Sequence, residues 1–463
     1  MNNLEISNSK EFQNKNLNFI NFLKFFIHSL IGVLLFMIPI KYDGDITIPV
    51  AILSNKLVDH LDGSLIFILA GILAVSGVMS LITSLFKPSF IVNNKFLKSL
   101  FSTTPLWLIT RVIGSIFGIL AAFKIGPDFI IGDLTGGFVF NDLLTLLFSI
   151  FLFAGFFLPL LLNFGLLEFF GSLLTKVMRP LFKLPGRSSI DCITSWLGDG
   201  TLGIILTNKQ YEDGFYTKRE AATISTTFSA VSITFSLIVF QTANIASVSF
   251  IPFYLTVSFA GIVAAIIVPR IPPLSRKSDT YYNDTKAKNT SEEIPEEYNA
   301  LSWGYKNALE KANENSSIMS FILDGFKNVL DMWIAVLPVV MCMATLALII
   351  AEFTPIFKIL GLPFIPVLEL LQVPQAKEAA QTFVVGFADM LLPATLAAKS
   401  VTNEMTRFII ACVSVTQLIY MSEVGGVLLG SKIPVSVKEL LIIFIERTLV
   451  TLPIIVLIAN LIF

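Results

Sequence analysis

The sequence predicts an all-α polytopic membrane protein with about nine transmembrane helices, two re-entrant helical hairpins and an inverted repeat. Three observations predict it. Charged residues make up 14% of the 463-residue chain, against about 25% in soluble domains, and phenylalanine alone contributes 42 residues. Several uncharged stretches reach the roughly 20 residues a helix needs to cross about 30 Å of hydrocarbon. Two further apolar segments are broken by Gly, Asp or Pro at matching places in two halves of the chain. The net charge of −1 offers no field for a polyanion, so nucleic-acid binding is excluded. Three cysteines are too few for a disulfide framework or a multi-cysteine zinc site.

The spans follow in order. The first lies near 17–40 and begins beside Lys24, which can snorkel. It is not a cleavable signal peptide, because no small-residue cleavage site follows Pro39. Leu65 to Phe86 gives 22 uncharged residues, and a weaker span covers 105–123. Leu143 to Leu167 gives 25. Ala221 to Pro269 runs 49 residues without a charge, enough for two spans with a turn at Gln241, Asn244, Ser247, Ser249 and Pro252. Met332 to Ala351 follows, then weaker spans at 406–429 and 439–461.

Orientation comes from the positive-inside rule. Lys10, Lys15 and Lys24 put the N-terminus in the cytoplasm of a cell inner (plasma) membrane, and Lys87, Lys95 and Lys98 put the second loop there too. Lys176, Arg179, Lys183 and Arg187 read as inside, and so do Arg270, Arg276 and Lys277. Two full spans fit between those markers, so 180–208 enters and leaves on the cytoplasmic side. It contains Asp191, Asp199, Gly198, Gly200 and Gly203. By the same count 376–400, with Gly386, Asp389 and Pro393, dips in from outside. The C-terminus is then external.

The chain divides into N-terminal scaffold helices (1–142), a first repeat (143–269), a polar cytoplasmic linker (270–325) with one short helix near 298–313, and a second repeat (326–463). Each repeat reads as a span, an interfacial stretch, a hairpin and two more spans. Residues 198–199 followed by Lys209 parallel residues 388–389 followed by Lys399. Interrupted segments at matching positions of inverted halves point to a binding site, because non-helical backbone at membrane depth survives only inside protein or beside water.

Intramembrane polar residues are costly and face the bundle interior. The expected substrate-binding set is Asp199, Thr194, Ser195, Thr201 and Asn208 from the first hairpin, with Gln381, Thr382, Asp389 and Thr395 from the second. Asp199 and Asp389 are expected to meet near the midplane. Asp191 is read as a helix cap. The ion-coupling set is Glu423, Ser422 and Thr227, and Glu423 stands just before Gly425-Gly426, where a helix can unwind. Single hydroxyls often bond only to their own helix. Arg111 is expected to snorkel to the interface, and Trp107, Trp196 and Trp333 to anchor there. Glu446-Arg447 is placed either in the interface or against other helices. No catalytic set, resident metal or cofactor is expected.

The stretch Asp191-Cys-Ile-Thr-Ser-Trp-Leu-Gly-Asp-Gly-Thr, followed by Thr207-Asn-Lys-Gln-Tyr-Glu-Asp-Gly-Phe-Tyr-Thr-Lys-Arg-Glu, resembles the YjiH-type family of bacterial membrane proteins with paired nucleoside-recognition, or Gate, domains. Arg111-Val-Ile-Gly and Met421-Ser-Glu-Val-Gly-Gly are similar too. The wider Gate resemblance extends to concentrative nucleoside transporters, ferrous-iron permeases and spore-maturation proteins A and B. It implies two Gate-like repeats whose hairpins surround a central site.

The expected function is therefore secondary transport of a small polar solute, nucleoside-like by the resemblance, with H⁺ or Na⁺ as driving ion. No Walker A pattern occurs. Divalent metal permeation is the runner-up, with Cys192, Cys342 and Cys412 as soft ligands. A non-transporting membrane partner or signalling protein is a further alternative, and homo-oligomerisation stays open. An intramembrane aspartyl protease is disfavoured, because Trp196-Leu-Gly-Asp lacks the first Gly of a Gly-x-Gly-Asp motif.

Overall fold

The computed structural model describes residues 2–38, 40–42, 45–61, 63–198, 200–228, 231, 233–282, 294, 297–314 and 318–463. Asp199 lies outside them. The protein is all-α apart from one small antiparallel ribbon, Ile40–Tyr42 against Asp45–Thr47. Among the described residues seven helices are long and apolar enough to cross a membrane: Phe19–Phe36, Leu65–Phe86, Pro105–Phe123, Asp128–Leu162, Phe250–Arg276, Gly325–Phe353 and Val437–Ile462. The surface they present is apolar. Leu65–Phe86 turns Phe67 and Leu85 outward at 66% and 65% exposure, while Leu69 and Leu73 on the other face are fully buried. Such a face is stable only against lipid or another apolar partner.

The two remaining expected crossings are interrupted. One is Lys218–Thr223, then a π-helical turn Ile224–Phe228, then Ile233–Thr242. The other is Glu404–Gln417, then an irregular stretch, then Val424–Gly430. Leu418 takes a left-handed conformation (φ 62°), which ends the helix. Both follow a hairpin, and both break in mid-segment.

Small residues set the packing of the scaffold. A Cβ at Gly77 would lie 2.7 Å from the Ser115 Oγ, and one at Gly114 would lie 1.8 Å from the Pro338 carbonyl oxygen. The helix pairs therefore approach backbone to backbone, as small residues permit in membranes. Ser115 Oγ donates to the Leu73 carbonyl at 2.6 Å across this contact. Arg111 does not snorkel: it is buried and donates to the Leu100 carbonyl at 2.8 Å. Its Nη1 finds acceptors among other helices, whereas its Nε is buried without one. Trp333 is likewise inside the bundle, stacked on Phe148 with its Nε1–H on the Phe148 carbonyl.

Both apolar interrupted segments double back. In the first, Ser188–Ile193 continues through a π-helical turn and returns as Gly200–Glu212. In the second, Ala376–Phe383 passes through a 3₁₀ turn and returns as Leu391–Ser400. Their bases lie at opposite ends of the bundle. The crossing 404–430 starts at the base of the second hairpin, and the loop after it meets the base of the first, where Lys432 N donates to Asn208 Oδ1 at 2.8 Å. The crossing 218–242 starts from the first hairpin and ends at a turn where Ser247 N donates to Glu404 Oε2 at 3.1 Å, beside the base of the second.

Part of the linker docks. Ala300–Glu314 lies along Leu166–Phe182, and a Cβ at Gly165 (φ 98°) would sit 2.4 Å from the Ala308 carbonyl oxygen. Lys277 ties the start of the linker to Glu439, at 2.8 Å, at the head of the last helix.

Replacement Gly114→Val must push two helices apart at a backbone–backbone contact. Overpacking of this kind costs about 1–3 kcal/mol. Thermal unfolding of the purified variant in detergent is expected to show a clear fall in Tm, whereas Gly71→Ala, where a Cβ meets nothing within 4 Å, leaves it unchanged. Equal Tm values for the Val variant and the parent would contradict the packing described.

Candidate functional site

The first hairpin is fastened by Asp191, which is buried at 1% exposure. Its carboxylate accepts from Thr207 Oγ1 at 2.9 Å and from Gln210 Nε2 at 2.6 Å, both on the returning helix. Gln210 Oε1 in turn accepts from Arg187 Nε at 2.7 Å, and Arg187 reaches Glu168 at 3.6 Å while lying 3.7 Å over the Phe215 ring. Asp191 thus does not cap a half-helix. It sits on the fourth residue of Ser188–Ile193 and bonds across the hairpin, because the chain reversal brings positions 207 and 210 opposite it.

The second hairpin is closed differently. Gln375 Oε1 accepts from Thr402 N at 3.0 Å and Asn403 N at 2.9 Å, pinning the base. At the tip, Asp389 accepts from Leu391 N at 2.8 Å. Backbone bonds join the same tip to the broken crossing: Met421 N donates to the Phe387 carbonyl at 2.8 Å, and Ser422 N to the Ala388 carbonyl at 2.9 Å. Gln417 Nε2 adds a bond to the Phe383 carbonyl at 3.0 Å. Asp389 and Ser422, predicted for separate roles, therefore belong to one junction. Glu423 follows directly, half-buried at the head of Val424–Gly430.

Breaking a helix frees carbonyls that need donors. Tyr420 shares its hydroxyl between the Ser414 and Val415 carbonyls at 3.0 and 2.9 Å. The Thr416 carbonyl would pair with the amide of Tyr420 in a continuous helix. It accepts instead from Arg447 Nε at 2.9 Å. Arg447 Nη1 donates at 3.1 Å to the Thr227 carbonyl, in the π-helical turn of the other broken crossing. At 1% exposure, Arg447 thus clamps the two breaks together. Beside it is a cavity of about 40 Å³, lined among others by Trp196, Thr227, Tyr254, Thr416, Leu418 and Arg447. That is room for a few waters. Trp196 brings the first hairpin's turn here.

The remaining predicted residues separate. Thr194, Thr227, Thr382 and Thr395 each bond back to a carbonyl of their own helix, at 2.6 to 2.9 Å. Ser195 and Thr201 are buried in the first hairpin, and Gln381 is half-buried in the second. Asn208 lies at the hairpin base, engaged with Lys432, and away from the junction. Arg447 is the residue missing from the predicted set. The signal was present: Leu440, Phe444, Arg447, Thr448, Thr451 and Ile455 form one buried helical face, and a charge on that stripe needs partners inside the bundle. Cys342 and Cys412 are buried and Cys192 is partly so, and among the described residues no group of three or more His, Cys, Asp or Glu could hold a metal ion.

Replacing Asp191 with Ala leaves the buried Gln210 amide N–H without its acceptor. Unsatisfied buried donors cost about 1–3 kcal/mol each. A Tm drop of several degrees is expected for Asp191→Ala in detergent, and a smaller one for Thr207→Val. A neutral Asp191→Ala would remove the fastening role.

A family model described as nucleoside recognition (Gate) matches residues 144–270, which contain the first hairpin and the first broken crossing. An outward-facing structure of CNTnw aligns with 89% of this chain and 98% of its own at 13% identity and a TM-score of 0.41. An uncharacterized protein of Alkalihalophilus pseudofirmus is 50% identical over 443 residues, covering 96% of this chain and 95% of that one. With that identity along nearly its whole length and the Gate match inside it, the chain belongs to a family of polytopic Gate-domain membrane proteins.

Proposed function

We propose that the protein is a secondary transporter of a small polar solute, working by alternating access around a midplane site between two inverted repeats. The observation that carries this reading is the convergence of both hairpins on one pair of broken crossings. The second hairpin's tip bonds to residues 421–422, the first hairpin's Trp196 faces residues 415–418, and Arg447 spans both breaks. Helix ends freed inside a membrane protein offer N–H and C=O groups to a polar solute. Hairpins whose bases sit at opposite ends of the bundle supply two gates, one to each side. Rocking of one hairpin against the junction opens one side while the other stays sealed.

In this reading Asp389, Ser422 and Glu423 form the polar side of the site. Coupling to H⁺ or Na⁺ is assigned to the carboxylates there, Glu423 first. The Gate match supports a nucleoside-like solute as the first class to test. The protein resides in the inner (plasma) membrane with its N-terminus in the cytoplasm, as the distribution of Lys and Arg supports. It performs no covalent chemistry on the solute and needs no cofactor.

The test is flux into proteoliposomes holding the purified protein, with radiolabelled uridine, adenosine, alanine and a dipeptide, under imposed H⁺ and Na⁺ gradients. Gradient-dependent accumulation of at least one solute is expected. No flux of any solute by correctly folded protein would favour the non-transporting alternative. Asp389→Asn keeps the cap on Leu391, since Asn and Asp cap helices about equally, but removes the charge. Flux is expected to fall about tenfold or more with Tm preserved. Unchanged flux in that variant would remove Asp389 from the site.

A further inference from the structure

The unexplained group is Arg447. A guanidinium stays charged and carries five N–H donors. The two bonds to the Thr416 and Thr227 carbonyls leave donors over. Carbonyls are dipoles and do not cancel the charge, and a buried charge without a counter-ion is costly. Among the described residues Arg447 has no ion pair. The neighbouring carboxylate, Glu446, does not supply one: its Oε2 is buried without a partner. Arg447 instead lines the 40 Å³ cavity between the two repeats, together with Thr227, Thr416 and Trp196 and a larger apolar wall that includes Phe228, Val415 and Leu418.

We infer that this cavity is an anion subsite, and that the solute carries a carboxylate or a phosphate group which docks on Arg447. The inference rests on the transport reading for its purpose, but not for its binding test. The cavity volume suits a few oxygen atoms rather than a whole solute. The anionic group sits between the breaks and the remainder extends toward the Asp389–Ser422 junction. Docking there gives the solute a direct hold on both repeats at once, because the same guanidinium holds a carbonyl of each. The indole of Trp196 closes one wall of the subsite and reports on its occupancy.

The experiment uses the full-length purified protein and matched probes at equal ionic strength in chloride buffer: propionate against propionamide, and uridine 5′-monophosphate against uridine. Thermal stability and tryptophan fluorescence are read for the parent, Arg447→Lys, Arg447→Gln and Trp196→Phe. The charged member of each pair is expected to raise Tm and the neutral member not to. Arg447→Gln is expected to weaken the anion effect by about 30-fold or more, the scale of losing one partner of a buried charge pair, and Arg447→Lys to keep part of it. Trp196→Phe should lose the fluorescence response and keep the Tm response. If Arg447→Gln does not fold, the Lys variant, with its charge kept and its fork lost, still reads a weakened dependence. Equal effects of charged and neutral probes, or an anion effect undiminished in both Arg447 variants, overturn the inference. An effect that appears only in Asp199→Asn also overturns it, because Arg447 is then neutralised within the protein. Flux is scored separately: transport of neutral uridine with no competition by the monophosphate leaves the transporter standing and removes the anion subsite, whereas an anion effect without flux of any solute removes the transporter alone.

Discussion

The architecture depends on the hydrogen bonds of one buried arginine to two freed carbonyls. A helix broken inside a membrane exposes backbone groups that lipid cannot satisfy. This protein breaks two, each directly after a hairpin, and supplies the missing donors from a third helix. Arg447 takes the place of a backbone amide for Thr416 and bonds Thr227 on the opposite crossing. Around it, Gln417 links the broken crossing to the second hairpin and, at 2.9 Å, to Thr448 of the same helix as Arg447. The last helix is thus a spine to which both unwound segments attach.

The two hairpins are built on different principles. The first is held by a buried side-chain network running from Glu168 through Arg187 and Gln210 to Asp191. The second is pinned at its base by one amide, Gln375, and at its tip by backbone bonds to the break. A charge network resists distortion, since each member left unpaired is costly in a low-dielectric surrounding. A hairpin held mainly at its ends can slide with the segment it touches.

Much of this was legible in the sequence, and the reasons are physical. The charge content and apolar run lengths specified a polytopic all-α chain, and Gly or Pro within apolar runs marked both hairpins. Met421-Ser422-Glu423 before Gly425-Gly426 marked a place of unwinding, and the break falls at 418–423. The π-helical turn at 224–228 was hidden, because Ile-Ser-Thr-Thr-Phe reads as ordinary helix. Asp389 and Ser422 each stand out as polar at depth, but the backbone bonds that join 387–388 to 421–422 are long-range contacts that no local pattern encodes. A rule for helix ends places Trp333 and Arg111 at the interface, and each finds partners inside the bundle. For Glu446-Arg447 the sequence leaves the interface and the neighbouring helices both open, and the buried face of Val437–Ile462 decides for the bundle in the case of Arg447.

The central claim is that Arg447 holds the two interrupted crossings in place. Backbone amide hydrogen exchange, compared between the parent and Arg447→Lys, tests it most directly. Loss of the guanidinium fork should speed exchange at residues 417–424 and 224–228 together, while the tightly packed pair Leu65–Phe86 and Pro105–Phe123 keeps its protection. Unchanged exchange at both breaks, or loosening spread evenly over the whole molecule, would contradict the account.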